Sequence, residues 1–271
     1  MSAFKTWRAF WNFEREVSRN RRYVRSVRAE EFLKAVRVTC ESRREQIEKG
    51  QGLWRAQHGH EWRRIKEIDD PVPCAYPPKR MVPTKDRALE GRANSKGIPA
   101  LYLSNCRIAA MSEVRPWLGS FVSLGHFEIA RPLSVVDCRR YHNRKAFYFW
   151  KEPPPEDLDK AVWSHIDRAF AKPVTRNDET GDYVATQTLT ELFRDLGFDG
   201  VAYKSAFGST ALNIALFDLD AARLTSCSLY EVKGARLKFD ECDGPYWVAG
   251  AAKTKRANPK RKKSKVKPVS S

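Results

Sequence analysis

Between Gly91 and Pro116 the chain passes through a turn, a strand and a helix in quick succession, and this order limits the folds open to it. Gly91-Arg92-Ala93-Asn94 reads as a tight turn, and Ala100-Leu101-Tyr102-Leu103 as a short apolar strand. Ser104 or Asn105 then caps a helix carrying Ala109-Ala110-Met111-Ser112-Glu113-Val114, which Pro116 ends. So short a strand needs partners elsewhere in the chain. Candidates are Ser120–Ile129, Leu133–Val136, Gly200–Ser205 and Leu212–Phe217, with a final pair at Leu224–Glu231 and Ala235–Phe239. Two helices interrupt this series. One covers Asp157–Ile166, and the other carries Leu189, Leu192, Phe193 and Leu196, with Thr188 and Glu191 as a capping box and Gly197 as its stop. Strands that return to one another with few helices between them predict an α+β fold, not a regular β-α-β layering.

Ahead of this region, Phe10, Phe13 and Val17, then Phe32, Val36 and Ile47, recur at helical spacing among basic clusters. They predict two helices, the second ending near Gly50. From His58 to Arg87 the chain is rich in charge and in proline (Pro71, Pro73, Pro77, Pro78, Pro83), which forbids a long helix or a central strand and predicts a long surface loop, a candidate cover for a site. The expected organisation is an N-terminal helical extension over 1–50, a main domain over 51–250 and a basic tail over 251–271.

Arg92, Tyr102 and Glu113, read with Leu53-Trp54-Arg55-Ala56 upstream and Tyr203-Lys204-Ser205 downstream, resemble the RES-domain family, named for its Arg, Glu and Ser and typically made of NAD-consuming toxins of bacterial toxin–antitoxin pairs. The resemblance spans about 52–224 and rests on the joint spacing of several short motifs. Ala93 departs from the pattern, since many relatives carry tryptophan after the motif arginine.

The resemblance implies an ADP-ribosyltransferase-like α+β domain that breaks the nicotinamide–ribose bond of NAD, with phosphate or water as acceptor and no metal. NAD bears two negative charges on its pyrophosphate and one positive charge on nicotinamide, so it calls for a cationic clamp and an aromatic slot. Arginine suits the clamp because its planar fork meets two phosphate oxygens at once. On this reading Arg55 and Arg92 bind the pyrophosphate, with Asn94 and, in second rank, Lys204 as further contacts. Tyr102 lines the nicotinamide side or offers its hydroxyl to the ribose. Glu113, 21 positions after Arg92, offsets charge building on the sugar as nicotinamide leaves. Ser205 and Asn213, on neighbouring strands, position the nucleotide; no histidine or G-x-S-x-G turn suggests a nucleophilic serine.

Each residue also has a plainer reading. The arginines could form surface ion pairs, Glu113 could pair with Arg107 or Arg115, and Tyr102 could be a core aromatic. Transfer of ADP-ribose to a protein would use the same clamp and carboxylate. The family pattern further implies a separately encoded helix-turn-helix antitoxin.

The formal charge of +17 raises a different class, a nucleic-acid-binding protein. About half of that charge lies between Lys253 and Lys267, where nine Lys or Arg occur with no acid. With little apolar to bury, that tail is expected to be disordered, and it is the sole support for nucleic-acid contact. The six cysteines form no C-x-x-C pair and point to reduced thiols. No apolar run reaches membrane-spanning length and the N-terminus lacks a secretion-signal core, so the expected location is the cytoplasm, with no membrane contact.

Overall fold

The computed structural model describes residues 2–66, 68–84, 88–142, 152–172, 181–208 and 210–235, all within one compact unit. The basic tail, Cys242 and residues 236–239 of the last expected strand lie outside the described residues.

Ten strands are described: β1 (Arg44–Ile47), β2 (Gly52–His58), β3 (Glu61–Ile65), β4 (Ile68–Cys74), β5 (Leu101–Ser104), β6 (Phe121–Ile129), β7 (Leu133–Cys138), β8 (Gly200–Lys204), β9 (Leu212–Leu216) and β10 (Ala222–Glu231). Eight of them form a mixed sheet in the order β1-β7-β8-β9-β5-β2-β6-β10, antiparallel except for the β7–β8 pair. Six helices accompany it: α1 (Ala9–Arg19), α2 (Val27–Thr39), α3 (Pro78–Met81), α4 (Arg107–Glu113), α5 (Leu158–Ala171) and α6 (Val184–Asp195). The fold is α+β, as the sequence predicts.

Alternation along the strands divides the core in two. Val136, Val201, Tyr203 and Ala215 face a layer made by α1, α2, α5 and α6. Val135, Ala202, Ile214 and Leu216 face the other way, with Leu53, Leu101, Phe127 and Met81. Phe10, Phe13 and Val17 of α1 are buried at i, i+3 and i+7, and the Phe13 ring stacks on Phe32 of α2 with centroids 4.6 Å apart. The front segment is thus part of the helical layer. Arg43 fixes it further: fully buried, it donates to the Asp137 carbonyl at 2.7 Å and to Asp167 of α5 at 2.6 Å, its guanidinium over the Trp163 ring.

Several expectations need correction. The second helix ends at Thr39, not near Gly50, and Ile47 belongs to edge strand β1. The stretch from His58 to Arg87 is not one loop, because β3 and β4 pair as a ribbon. Pro71 and Pro73, two residues apart, remove donors from the same strand edge, and a two-stranded ribbon has an outer edge where this costs little. Helix α4 begins after Cys106, whose N–H reaches Ser104 Oγ at 3.4 Å. Helix α6 begins at Val184, so Thr188 is interior and its hydroxyl donates back to the Val184 carbonyl at 2.8 Å instead of capping. Strand β10 pairs with β6 along its length.

Candidate active site

The sheet is nearly split in the middle. Strand β5 pairs with β9 through four residues but with β2 only at Trp54 and Ser104. Past that contact the strands part, and Arg55 bridges the gap by donating from Nη1 to the Tyr102 carbonyl at 3.3 Å. Parting strands leave backbone groups and space that a closed ladder would consume. Two clefts occupy that space. The first, about 330 Å³, is lined by Trp54, Arg55, Arg92, Tyr102, Glu113, Tyr183, Tyr203 and Asn213. The second, about 490 Å³, shares Arg55, Gly91 and Tyr102 with it and continues toward Lys79, Arg80 and Thr84.

Glu113 sits in the last turn of α4, whose small Ala109 and Ala110 are buried and let the helix lie close to the sheet. Its Oε1 accepts from Ser205 Oγ at 2.8 Å and from Asn213 Nδ2 at 2.6 Å. Both donors are buried, and Ser205 Oγ also accepts from the Phe207 N–H at 3.1 Å. With Oε1 so bracketed, the Glu113 side chain lines the first cleft. Glu113 is therefore held by neutral donors, not by Arg107 or Arg115 in a helix-end ion pair.

Arg92 follows Gly91 in a two-residue bridge with Asn94, Gly91 N–H to Asn94 O at 2.9 Å. A side chain at Gly91 would put its Cβ 2.6 Å from the Tyr102 hydroxyl, so the turn needs glycine there. The Tyr102 hydroxyl donates to Asn94 Oδ1 at 2.6 Å and accepts from the Ala93 N–H at 2.9 Å. Asn94 Nδ2 meets the carbonyls of Leu89, Ser95 and Ile98, while Gln187 Nε2 meets those of Gly91 and Asn94. The amide of Asn94 and the hydroxyl of Tyr102 are thus spent on building the turn that presents Arg92. Tyr102 offers the site its ring. Ala93 is buried in the helix-side core, and the aromatic residues of the first cleft are Trp54, Tyr102, Tyr183 and Tyr203.

Both arginines are half-buried, and neither is ion-paired to a carboxylate among the described residues. Each has a buried Nε with no partner. Arg92 donates Nη2 to the Lys172 carbonyl at 2.5 Å and lies over the Tyr203 ring, 5.2 Å from its centroid. Desolvation lowers the pKa of Arg55 to about 10, which leaves it charged at neutral pH, and burial pushes the Tyr203 phenol up to about 12, opposed by Arg92 and reinforced by Glu113. Two arginines without acidic partners, Arg55 among them desolvated, make a site suited to an anion.

The fold brings Arg55, Arg92, Tyr102, Glu113, Ser205 and Asn213 together. Asn94 lines the second cleft only, its amide spent on the turn, and Lys204 lies near His142 and lines neither cleft. Sequence reasoning did not single out Tyr203, Tyr183 or Gln187 as site residues. Strand alternation alone would place Tyr203 on the face opposite Ala202, two residues before Ser205. Tyr183 and Gln187 carry no local signal. Among the described residues no group of His, Cys, Asp or Glu could hold a metal, and no helix is long and apolar enough to cross a membrane.

A split mixed sheet presenting a carboxylate opposite two unpaired arginines defines a site for an anionic ligand that meets an acid–base or cation-stabilising group. The RES-domain model matches residues 52–240, well over half of the chain, and the chain belongs to the RES-domain family. No curated protein matches it. Among solved structures it is similar to the MbcT–MbcA toxin–antitoxin complex of M. tuberculosis, with 16% identity over 72% of this chain and 92% of that one and a TM-score of 0.41.

Proposed function

We propose that this chain cleaves the nicotinamide–ribose bond of NAD, passing the ADP-ribosyl group to water or phosphate. The observation that carries this reading is the Glu113 carboxylate, bracketed by Ser205 and Asn213 in the same cleft as the unpaired Arg55 and Arg92. The arginines take the pyrophosphate, and the rings of Tyr102 and Tyr203 form an apolar wall for nicotinamide. As the C1′–N bond breaks, its electron pair leaves with the ring, which becomes neutral nicotinamide. Positive charge moves onto the ribose. The Glu113 carboxylate faces that charge and accepts a hydrogen bond from the 2′-hydroxyl, an interaction strongest at the transition state. An oxygen of water or phosphate then bonds to C1′; water releases its proton to solvent, whereas hydrogen phosphate attacks through an oxygen that carries none. Neutral nicotinamide is a competent leaving group, so the step asks for no metal.

Family membership supports a role as the toxin of a toxin–antitoxin pair, whose separately encoded partner would cover the cleft. Incubating purified protein with NAD, with and without phosphate, and weighing the products tests the chemistry. Free nicotinamide with ADP-ribose indicates water as acceptor, and ADP-ribose 1″-phosphate indicates phosphate. A mass increase on an added protein substrate would reassign the chain as an ADP-ribosyltransferase. Intact NAD in every arm overturns the proposal.

A further inference from the structure

The second cleft carries more positive charge than a dinucleotide with two free riboses requires. Arg55 stands where the two clefts meet. Beyond it lie Lys79 and Arg80, from the last turn of α3, and the hydroxyl residue Thr84. Neither Lys79 nor Arg80 forms an ion pair among the described residues, Glu90 in the same wall included. Arg80 is not a free surface chain: its guanidinium lies over the Tyr76 ring at 4.7 Å, and its carbonyl accepts from Gln57 Nε2. Glu113 and Asn213 line only the first cleft. An acceptor phosphate must reach C1′ beside Glu113, so the second cleft is not its place. What extends past the pyrophosphate clamp, away from the scissile bond, is the adenosine end of the dinucleotide.

We propose that Lys79 and Arg80 hold a 2′-phosphate on that adenosine, so that the substrate of this chain is NADP in preference to NAD. This rests on the NAD-cleaving reading above. An adenosine with free ribose hydroxyls gives two cations nothing to neutralise, whereas a phosphate monoester brings nearly two negative charges and three acceptor oxygens. Arg80 supplies the planar fork and Lys79 the mobile point charge, the two complementary ways of binding phosphate.

The test pairs turnover with a binding readout. Expected are a kcat/KM for NADP about ten-fold or more above that for NAD, and tighter binding of adenosine 2′,5′-bisphosphate than of adenosine 5′-phosphate by a similar factor. In Lys79→Ala/Arg80→Ala both ratios should fall toward one. If no dinucleotide is cleaved but the bisphosphate preference exists and is lost in the double variant, the site stands and the catalytic reading falls. If NAD is cleaved as well as NADP and the two adenosine nucleotides bind alike, the site proposal is overturned and the catalytic reading stands. A rise in KM for inorganic phosphate in the double variant, with both ratios unchanged, would assign the cleft to the acceptor and also overturn it.

Discussion

Ser205 Oγ lies 2.8 Å from Glu113 Oε1, a contact made across 92 residues of sequence. With Asn213 on the same oxygen, it aims a carboxylate at the cleft without neutralising it. Glu113→Gln should therefore lower kcat by about 10²–10⁴-fold, because charge stabilisation exists mainly in the transition state, while dinucleotide binding stays near that of the parent. Ser205→Ala should cost less, about ten-fold in kcat, since Asn213 still holds the carboxylate and only its aim loosens. Steady-state kinetics beside calorimetric binding separates the two effects. A Glu113→Gln enzyme of undiminished kcat removes the catalytic assignment.

Arg92→Lys should act on binding. An ammonium cannot reproduce a two-pronged contact to a pyrophosphate, and its flexible stem would leave the Lys172 carbonyl and the Tyr203 ring. The expected result is a KM raised about ten-fold or more with a smaller change in kcat. Unchanged KM would mean that Arg92 serves the fold alone.

Tyr102→Phe should separate the turn from the chemistry. Removing the hydroxyl leaves the Ala93 N–H and Asn94 Oδ1 without their partner in a largely buried turn, at a cost of about 1–3 kcal/mol. Thermal or denaturant unfolding should show this loss directly. The aromatic ring remains, so the variant should keep the nicotinamide wall and lose affinity only as far as the turn, and Arg92 with it, is displaced. Parent-like stability would show that the turn closes without Tyr102.

How much of this was legible in the sequence follows from how local each signal is. Phe10, Phe13 and Val17 write the buried stripe of α1 directly, and the strand pair at Gly200–Ser205 and Leu212–Phe217 shows in apolar runs bounded by turns. Ile47 misled because an apolar residue four or more positions past a helical stripe reads as its continuation; only β7, far along the chain, makes it a strand residue. The β3–β4 ribbon was hidden by its prolines, which exclude a central strand but not an edge. Arg43 reads as one more surface cation until Asp167, 124 residues away, is brought to it. In the site, residue types and order carried Arg55, Arg92, Glu113 and Ser205. What did not show was the division of labour, with Asn94 and the Tyr102 hydroxyl building the turn, because that depends on where carbonyls 89, 95 and 98 end up.

Stability should depend on pH through His165. This residue of α5 is buried between the rings of Trp7 and Trp11, with centroid distances of 6.0 and 4.4 Å, and its Nε2 has no partner. Desolvation, with Arg168 in addition, lowers its pKa to about 4. The folded protein therefore resists a proton that the unfolded chain accepts near pH 6.5. The contribution of neutral His165 is complete above about pH 6.5 and is lost progressively as pH falls toward 4. Denaturant midpoints of the parent and His165→Leu, compared from pH 7.5 to pH 4, should show the parent losing stability relative to the variant as the pH falls, since only the parent must bury an imidazolium or pull it into water. A constant difference across that window would place the acid sensitivity elsewhere.

In cells the two readings of the charge part company. Expression of the intact chain in bacteria lacking any partner for it should deplete the nicotinamide dinucleotide pool and arrest growth, whereas the Glu113→Gln chain should be tolerated. The two chains differ by one NH2 group in place of one carboxylate oxygen, so the basic residues between Lys253 and Lys267, the fold and the expression load are common to both. Arrest by both with the pool intact would trace toxicity to the basic surface acting on nucleic acid or another polyanion. Tolerance of both, with no cleavage by purified protein, would leave the split sheet and its two arginines as a binding site only. Arrest by the parent alone, accompanied by loss of the dinucleotide, ties growth inhibition to the carboxylate that Ser205 and Asn213 hold.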